Sequence, residues 1–192
     1  MTFKDIMNIV KEIPSTTGRK DCEAVFKLSQ TVPNDGIVIE TGTGNGRTTA
    51  VLALATMNRF ITIITIDNYS ESKRYSKNRG VWSLDYAKNI FNKFKIDKNI
   101  VIVTGNANDY LKNYSGRIDM IYLDDCHLYP VVKEEIILSK QIMMNGVIAG
   151  HDYNDWRSDG IAVSKAVNEE FINSKVNIDN TVWSVYYNKE TK

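Results

Sequence analysis

The sequence predicts an α/β protein with a doubly wound, mostly parallel sheet and helices on both faces. From residue 37 onward, short apolar runs rich in β-branched residues alternate with segments of helical periodicity. This alternation is typical of right-handed βαβ crossovers. A glycine-rich turn follows the first run, and a hairpin pattern closes the chain. The 192 residues, 43% of them hydrophobic, suffice for one sizeable core, so we expect a single domain that spans residues 1–192.

Two helices are expected before the sheet. Helical spacing of apolar residues continues up to Pro14 and, after a polar loop at 15–20, up to Pro33. In a ligand-binding α/β fold such a pair either caps the site or covers one edge of the sheet. We therefore predict that residues 1–35 form an N-terminal helical cap on a core formed by residues 36–192.

The remaining elements alternate regularly. The parallel strands are expected at Ile37–Thr41, Phe60–Asp67, Asn99–Thr104, Ile118–Asp124 and Gly146–Gly150. Helices between and after them are marked by apolar residues at i, i+3 and i+4: Thr48, Val51 and Leu52; Ala87, Ile90 and Phe91; Ala107, Tyr110 and Leu111; Leu128, Val131 and Val132; Val163, Ala166 and Val167. Finally, Val176–Ile178 and Thr181–Tyr187 flank an Asp-Asn turn. They predict a closing hairpin with one antiparallel strand.

The turn after the first strand has the composition of a nucleotide-binding loop. Gly42, Gly44 and Gly46 allow the backbone to approach a ligand closely, and a helix begins at once. A dinucleotide turn requires G-x-G-x-x-G, but the sixth position here is Arg47, and the Gly-Lys-Ser/Thr of a Walker loop does not follow. Glu40 suits a ligand with an ammonium group and hydroxyls better than a pyrophosphate. A turn that binds no ligand is the alternative.

Polar residues at the next strand ends predict contacts to the rest of a nucleoside. Ligands in such sheets bind beyond the carboxyl ends of the strands. Asp67, followed by Asn68, is placed to accept both hydroxyls of a ribose, unless it only caps the next loop. After the third strand, Asn106 offers an amide to the edge of a base, and Ala107 leaves room for its face.

Both histidines of the chain are expected at adjacent strand ends. Asp124 and His127 follow the fourth strand, and His151 and Asp152 follow the fifth. Carboxylates suit Mg²⁺, whereas histidines shift the preference toward Mn²⁺, Fe²⁺ or Zn²⁺. A polar network without a metal ion is the alternative.

Together these motifs resemble those of the class I methyltransferases that bind S-adenosylmethionine. The Glu-x-Gly-x-Gly-x-Gly pattern is similar to their motif I. Residues 124–129 resemble an Asp-Gly-Asp-His-Ser-Tyr signature after the fourth strand, and residues 145–153 resemble a Gly-Gly-x-x-x-Gly-His-Asp-Tyr signature around the fifth. Trp183 lies where the family often has Trp. The subgroup with these signatures is small, single-domain and similar to metal-dependent O-methyltransferases of the methyltransferase family 24 type.

The resemblance implies a Rossmann-like fold, S-adenosylmethionine as cofactor and a divalent cation, Mg²⁺ or Mn²⁺. It implies Asp124 and Asp152 as metal ligands and His127 as the catalytic base acting beside Asp124. We add His151 as a candidate third ligand because it precedes Asp152 at the same strand end. With the strand-end residues, the expected cofactor-binding set is Glu40, Gly42, Thr43, Gly44, Gly46, Asp67, Asn68, Asn106, Ala107 and Asp124. The chain departs from the family pattern at Thr41, Asn106, Asp125-Cys126 and Tyr153, the last standing where catechol-type enzymes have an Asn ligand.

Charge and cysteine content limit the expected partners. A formal charge of +1 disfavours nucleic acid and an anionic membrane. Cys22 and Cys126 match no metal or redox spacing and indicate a reducing, cytoplasmic compartment. A basic run from Lys73 to Arg79 predicts a contact to an anionic group of the acceptor, unless it is only a solvated loop.

The sequence therefore favours a methyltransferase that acts on a hydroxyl of a small-molecule acceptor, with a homodimer left open. The absence of a Pro-Pro-Tyr type sequence after the fourth strand favours oxygen over a nucleic-acid amine. The alternatives are an NAD-type oxidoreductase, which the glycine spacing disfavours, and a binding module without catalysis.

Overall fold

The computed structural model describes residues 1–69, 82–154 and 158–191. Its strands are β1 (Ile37–Thr41), β2 (Thr62–Asp67), β3 (Ile100–Thr104), β4 (Met120–Leu123), β5 (Asn145–Gly150), β6 (Asn177–Asp179) and β7 (Val182–Asn188). Its helices are α1 (Phe3–Val10), α2 (Arg19–Ser29), α3 (Arg47–Thr56), α4 (Leu84–Lys93), α5 (Ala107–Asn113), α6 (Tyr129–Ile142) and α7 (Ser158–Glu170), with short 3-10 turns at Asp97–Asn99 and Lys189–Thr191.

The strands form one seven-stranded sheet in the order β3-β2-β1-β4-β5-β7-β6. Strands β1 to β5 pair in parallel, whereas β7 runs antiparallel to both β5 and β6. The predicted doubly wound sheet with one antiparallel strand in a C-terminal hairpin is confirmed.

The register brings the ends of the central strands to one edge. Thr41 pairs with Ile66 on one side and with Leu123 on the other, and Leu123 pairs with Gly150. The strand order reverses between β1 and β4, so a crevice opens there beyond the carboxyl ends.

The core lies on both faces of the sheet because side chains alternate along each strand. Val38 and Ile63 pack in one buried cluster with residues of α1 to α4. Ile39 and Ile64 pack in a second cluster with residues of α5 to α7. Each fully buried aliphatic side chain stabilises the fold by about 1.5–3 kcal/mol. The sheet is therefore packed on both faces.

Several predicted boundaries were wrong by two residues or more, and β4, for example, begins at Met120 rather than at Ile118. Strand β2 begins at Thr62 rather than at Phe60, because Phe60 has a positive φ of 55° and its side chain is 78% exposed. Helix α2 begins at Arg19, inside the predicted polar loop, because the Asp21 carboxylate accepts the N–H of Gly18 at 3.1 Å and caps the helix.

Two further findings bear on the expected partners. The basic run from Lys73 to Arg79 lies outside the described residues. In the part of the chain that the structure describes, every helix is too short or too polar to span a bilayer.

Candidate active site

A cavity of about 430 Å³ opens at the carboxyl edge of the sheet. Its walls are segment 14–17, the glycine turn, the end of β2 with Trp82 and Asn106, and the loop after β4. Of the predicted site residues, its lining includes Gly42, Thr43, Gly44, Asp67, Asn68, Asn106, Asp124 and His127. The lining does not include the other predicted site residues, which are Glu40, Gly46, Ala107, His151 and Asp152.

The glycine turn is shaped by close contacts as well as by its φ angles. Gly42 has a φ of 84°, and a Cβ there would lie 2.1 Å from the backbone oxygen of Asp124. Gly46 has a φ of 83°, and a Cβ there would lie 2.6 Å from the ring of Phe91. The first glycine thus lets β1 exit against β4, while the last packs the start of α3 on the core.

Glu40 lies beneath the glycine turn, fully buried. Its Oε2 accepts hydrogen bonds from the hydroxyls of Thr49 and Thr65. The Thr65 hydroxyl is also 2.6 Å from that of Thr43, which belongs to the turn. Burial raises the pKa of Glu40 to about 8. The structure therefore places Glu40 as a support of the turn rather than in the cavity lining.

We expect the free energy of unfolding to fall less in the variant Glu40→Gln than in the parent when the pH is raised from about 5.5 to about 8. Urea titrations at the two pH values measure this change. The unfolded carboxyl releases its proton near 4.5, whereas the folded one, with its pKa raised by burial, keeps it up to about 8. The folded state binds more protons in this interval, so the free energy of unfolding falls as pH rises. Glutamine is neutral throughout and removes this contribution. Equal losses in parent and variant would contradict the expectation.

Asp67 connects the end of β2 to the glycine turn. Its Oδ2 accepts the N–H of Gly44 at 2.8 Å, and its Oδ1 accepts the N–H of Tyr69 at 2.6 Å. Burial raises the pKa of Asp67. Across the cavity, Asn106 uses its side-chain oxygen to cap α5 by accepting the N–H of Asp109 at 3.1 Å. Asn106 is thereby left to offer its amide N–H groups to a ligand.

Two histidines and two carboxylates meet where β4 and β5 end. Nε2 of His127 lies 2.7 Å from Oδ2 of Asp152 and 3.6 Å from Oδ1 of Asp124. Nδ1 of His151 lies 3.5 Å from Oδ1 of Asp124 and 3.2 Å from Oδ1 of Asp152. The structure thus brings the four predicted residues into one cluster.

The charges of this cluster are mutually balanced. Burial opposes protonation of both histidines, but the hydrogen bonds and charges of Asp124 and Asp152 raise the pKa of His127 to about 10 and that of His151 to about 12. Burial likewise opposes ionisation of Asp152, but hydrogen bonds from the two histidines hold its pKa well below the ordinary value. These contacts favour the protonated form of both histidines and the ionised form of Asp152.

Among the described residues, Asp124, His151 and Asp152 have the geometry to hold a metal ion. One ligand atom of each lies within 4.8 Å of the others. Two carboxylate oxygens and one imidazole nitrogen, with water, suit Mn²⁺ or Mg²⁺. Tyr153 is directed elsewhere, since its hydroxyl donates to the side-chain oxygen of Asn168 at 2.9 Å.

Asp21 links the N-terminal segment to this cluster. Its Oδ2 lies 3.6 Å from Nε2 of His151. Its Oδ1 accepts hydrogen bonds from the side chains of Asn180, at 2.5 Å, and Thr181, at 2.8 Å. The Thr181 hydroxyl is itself 3.3 Å from Nε2 of His151. This arrangement fixes the ring of His151 from the side opposite to the proposed metal ligands.

Sequence reasoning left four residues of the site without a role. Asp21, Asn45 and Arg47 contact partners far away in the sequence, and Trp82 lines the cavity. One signal was available for Arg47, which interrupts the expected glycine spacing at the start of α3.

Comparisons with known proteins agree with this geometry. A family model described as "Methyltransferase domain" matches residues 39–153. No curated protein matches the chain.

Solved structures with the same fold include three methyltransferases. A methyltransferase from Podospora anserina, bound to S-adenosylhomocysteine, has a TM-score of 0.69 at 14% identity, covering 96% of this chain and 87% of its own. The O-methyltransferase TomG from Streptomyces achromogenes, involved in tomaymycin synthesis and bound to S-adenosylmethionine, has a TM-score of 0.64 at 12% identity, covering 96% and 88%. An S-adenosylmethionine-dependent O-methyltransferase from Thermotoga maritima has a TM-score of 0.64 at 14% identity, covering 98% of this chain and 72% of its own.

The family match extends from the middle of β1 to just beyond β5 and so includes the glycine turn, Asp67 and the cluster at the ends of β4 and β5. The chain therefore belongs to the methyltransferase domain family, as a class I, S-adenosylmethionine-dependent methyltransferase.

Proposed function

We propose that the protein transfers the methyl group of S-adenosylmethionine to a hydroxyl oxygen of a small molecule, with a divalent cation at Asp124, Asp152 and His151. One observation carries this proposal. A single cavity has Asp67 and the glycine turn on one side and His127, beside the carboxylate pair, on the other. A cofactor and an acceptor bound there would meet within reach of a titratable imidazole.

The charge of the cavity supports a cationic cofactor. Asp67, Asp124 and Asp125 line it, and burial together with the charges of Asp67 and Asp124 raises the pKa of Asp125 to about 6. The ammonium and sulfonium groups of S-adenosylmethionine would relieve this repulsion. A dinucleotide pyrophosphate would increase it, which disfavours the oxidoreductase alternative.

The reaction requires an oxygen in line with the methyl group. The oxygen forms a bond to the methyl carbon as the carbon–sulfur bond breaks, the sulfur keeps the bonding electrons, and the hydroxyl proton leaves. His127 lines the cavity and is the group that takes this proton. The His127 imidazole must be neutral to take the proton. Asp124 and Asp152 favour its charged form as long as no cation balances their negative charges.

A divalent cation, when bound, would polarise the acceptor hydroxyl and supply that compensation. Asp124, Asp152 and the Nδ1 of His151 would hold it. The small-molecule acceptor is supported by TomG, a structural neighbour that is involved in the synthesis of tomaymycin.

Calorimetric titration with S-adenosylhomocysteine tests the cofactor. We expect Asp67→Ala to weaken binding by about 1.5–3 kcal/mol, the contribution of a hydrogen bond to a charged group. Asp119→Ala is the matched control, because Asp119 also accepts a backbone N–H, that of Ile37 at 2.8 Å, but at the opposite edge of the sheet. Its affinity should equal that of the parent. Binding of NAD without binding of S-adenosylhomocysteine would refute the proposed function.

A further inference from the structure

Arg47, the first residue of α3, is bonded to the N-terminal segment through four contacts. Its Nε donates to the carbonyl of Ile13 at 2.9 Å, and its Nη1 donates to the carbonyl of Thr17 at 2.8 Å. Its Nη2 donates to the carbonyl of Ile13 as well and approaches that of Lys11 at 3.5 Å. The planar guanidinium is therefore occupied by backbone carbonyls.

The segment that Arg47 holds is one wall of the cavity. Residues 14–17 line it, facing the end of β4 and the glycine turn. The neighbouring turn residue Asn45 donates its side-chain amide to the carbonyl of Pro14 at 2.9 Å. The hydroxyls of Thr17 and Thr48 lie 3.4 Å apart. The wall is thus attached to the glycine turn and to the start of α3 at several points.

We propose that Arg47 is a positioning residue for the cofactor: it holds residues 13–17 as a preformed wall over the glycine turn. This inference rests on the proposed function, since it concerns the same cavity. Residues 11–18 contain no strand and begin at the end of α1. The N–H groups of Lys11 and Ile13 bond back to Met7 and Val10 of α1, so the cavity wall at 14–17 depends on contacts beyond these two. The positive charge of Arg47 also complements the carbonyl end of α1.

The same chain offers a matched control in Arg59. Its guanidinium donates to the carbonyl of Val32 at 2.8 Å and to that of Ser29 at 2.6 Å. Arg59 therefore holds the end of α2 as Arg47 holds the end of α1, but it does not line the cavity. Arg47→Ala and Arg59→Ala each remove an arginine that binds carbonyls at a helix end.

The test combines hydrogen exchange of the ligand-free chain with calorimetric titration of S-adenosylhomocysteine. In Arg47→Ala we expect faster exchange of the amides of residues 11–18. We also expect the Kd for S-adenosylhomocysteine to rise about ten-fold, which is the rise when only about a tenth of the molecules have the wall in its binding-competent position. Arg59→Ala should leave both quantities within about two-fold of the parent, a change of less than 0.5 kcal/mol by ordinary affinity arithmetic. Arg47→Lys, which keeps the charge but not the planar fork, should give an intermediate Kd.

Two results would overturn the inference that Arg47 positions the wall. One is unchanged exchange at residues 11–18 in Arg47→Ala, and the other is an equal rise in Kd in Arg47→Ala and Arg59→Ala. If Arg47→Ala is too unstable to titrate, Arg47→Lys carries the comparison with Arg59→Ala. A parent chain that binds no S-adenosylhomocysteine would refute the proposed function, whereas the exchange data would still decide whether Arg47 holds the wall.

Discussion

Replacing His127 by alanine is expected to lower kcat by about 10²–10⁴-fold, the usual contribution of a general base. The expectation follows from its position, since His127 lines the cavity and its Nε2 lies 2.7 Å from Oδ2 of Asp152. Affinity for S-adenosylhomocysteine should change little, because Asp67 and the glycine turn form the other side of the cavity. Steady-state kinetics and calorimetry on the same preparation measure the two quantities.

His127→Gln separates catalysis from structure. Glutamine can still donate a hydrogen bond to Asp152 but does not take up a proton at working pH. We expect it to be as inactive as His127→Ala and more stable. Near-normal turnover of either variant, or joint loss of cofactor binding and activity, would remove His127 from the mechanism and leave His151 as the next candidate.

Exhaustive dialysis against EDTA is expected to abolish turnover, and added Mg²⁺ or Mn²⁺ should restore it. A Lewis-acid cation contributes several kcal/mol to such a step, on the order of 10³-fold in rate. The carboxylates of Asp124 and Asp152 and the Nδ1 of His151 are already grouped within 4.8 Å, so these side chains need to move little, although the Nδ1 of His151 must release its proton to bind the ion. Elemental analysis before and after dialysis measures the metal content.

The variant Asp152→Asn tests the same metal site. It removes one charged ligand and should weaken binding of Mn²⁺, which calorimetry without substrate measures. Its affinity for S-adenosylhomocysteine should persist. Asp119→Asn, at the opposite edge of the sheet, should bind Mn²⁺ as the parent does. Full activity of a chain shown to be free of metal would contradict the metal site and indicate that the cluster is only a polar network.

Much of the fold could be predicted from local patterns. Strand β1 has the predicted bounds, because Ile37–Thr41 is a β-branched run that ends at a glycine turn. Periodicity also distinguished most of the helices, which bury one face on the sheet, whereas α3 is buried almost all round. Periodicity placed Phe60 in β2 wrongly, because its positive φ depends on the turn before β2 and not on its hydrophobicity.

The site was less predictable because its roles depend on depth and on distant partners. The sequence pattern places Glu40 next to the glycine turn but does not show that Thr49 and Thr65 hold its carboxylate below it. Likewise, the sequence shows Arg47 only as a departure from the dinucleotide glycine motif. The structure shows that it bonds to the backbone of segment 11–17. Contacts of this kind have no short-range signature in the chain.

The bonds of Asp21 have a consequence for biosynthesis. Asp21 is separated from Asn180 by 159 residues and from Thr181 by 160, yet it bonds to both, and Asp21 and Thr181 each approach Nε2 of His151. A nascent chain emerging from the ribosome can form β1 to β5 before the turn between β6 and β7 has been made. The contacts that hold the His151 ring are therefore completed last, and a partly synthesised chain would carry the glycine turn and the four cluster residues without them.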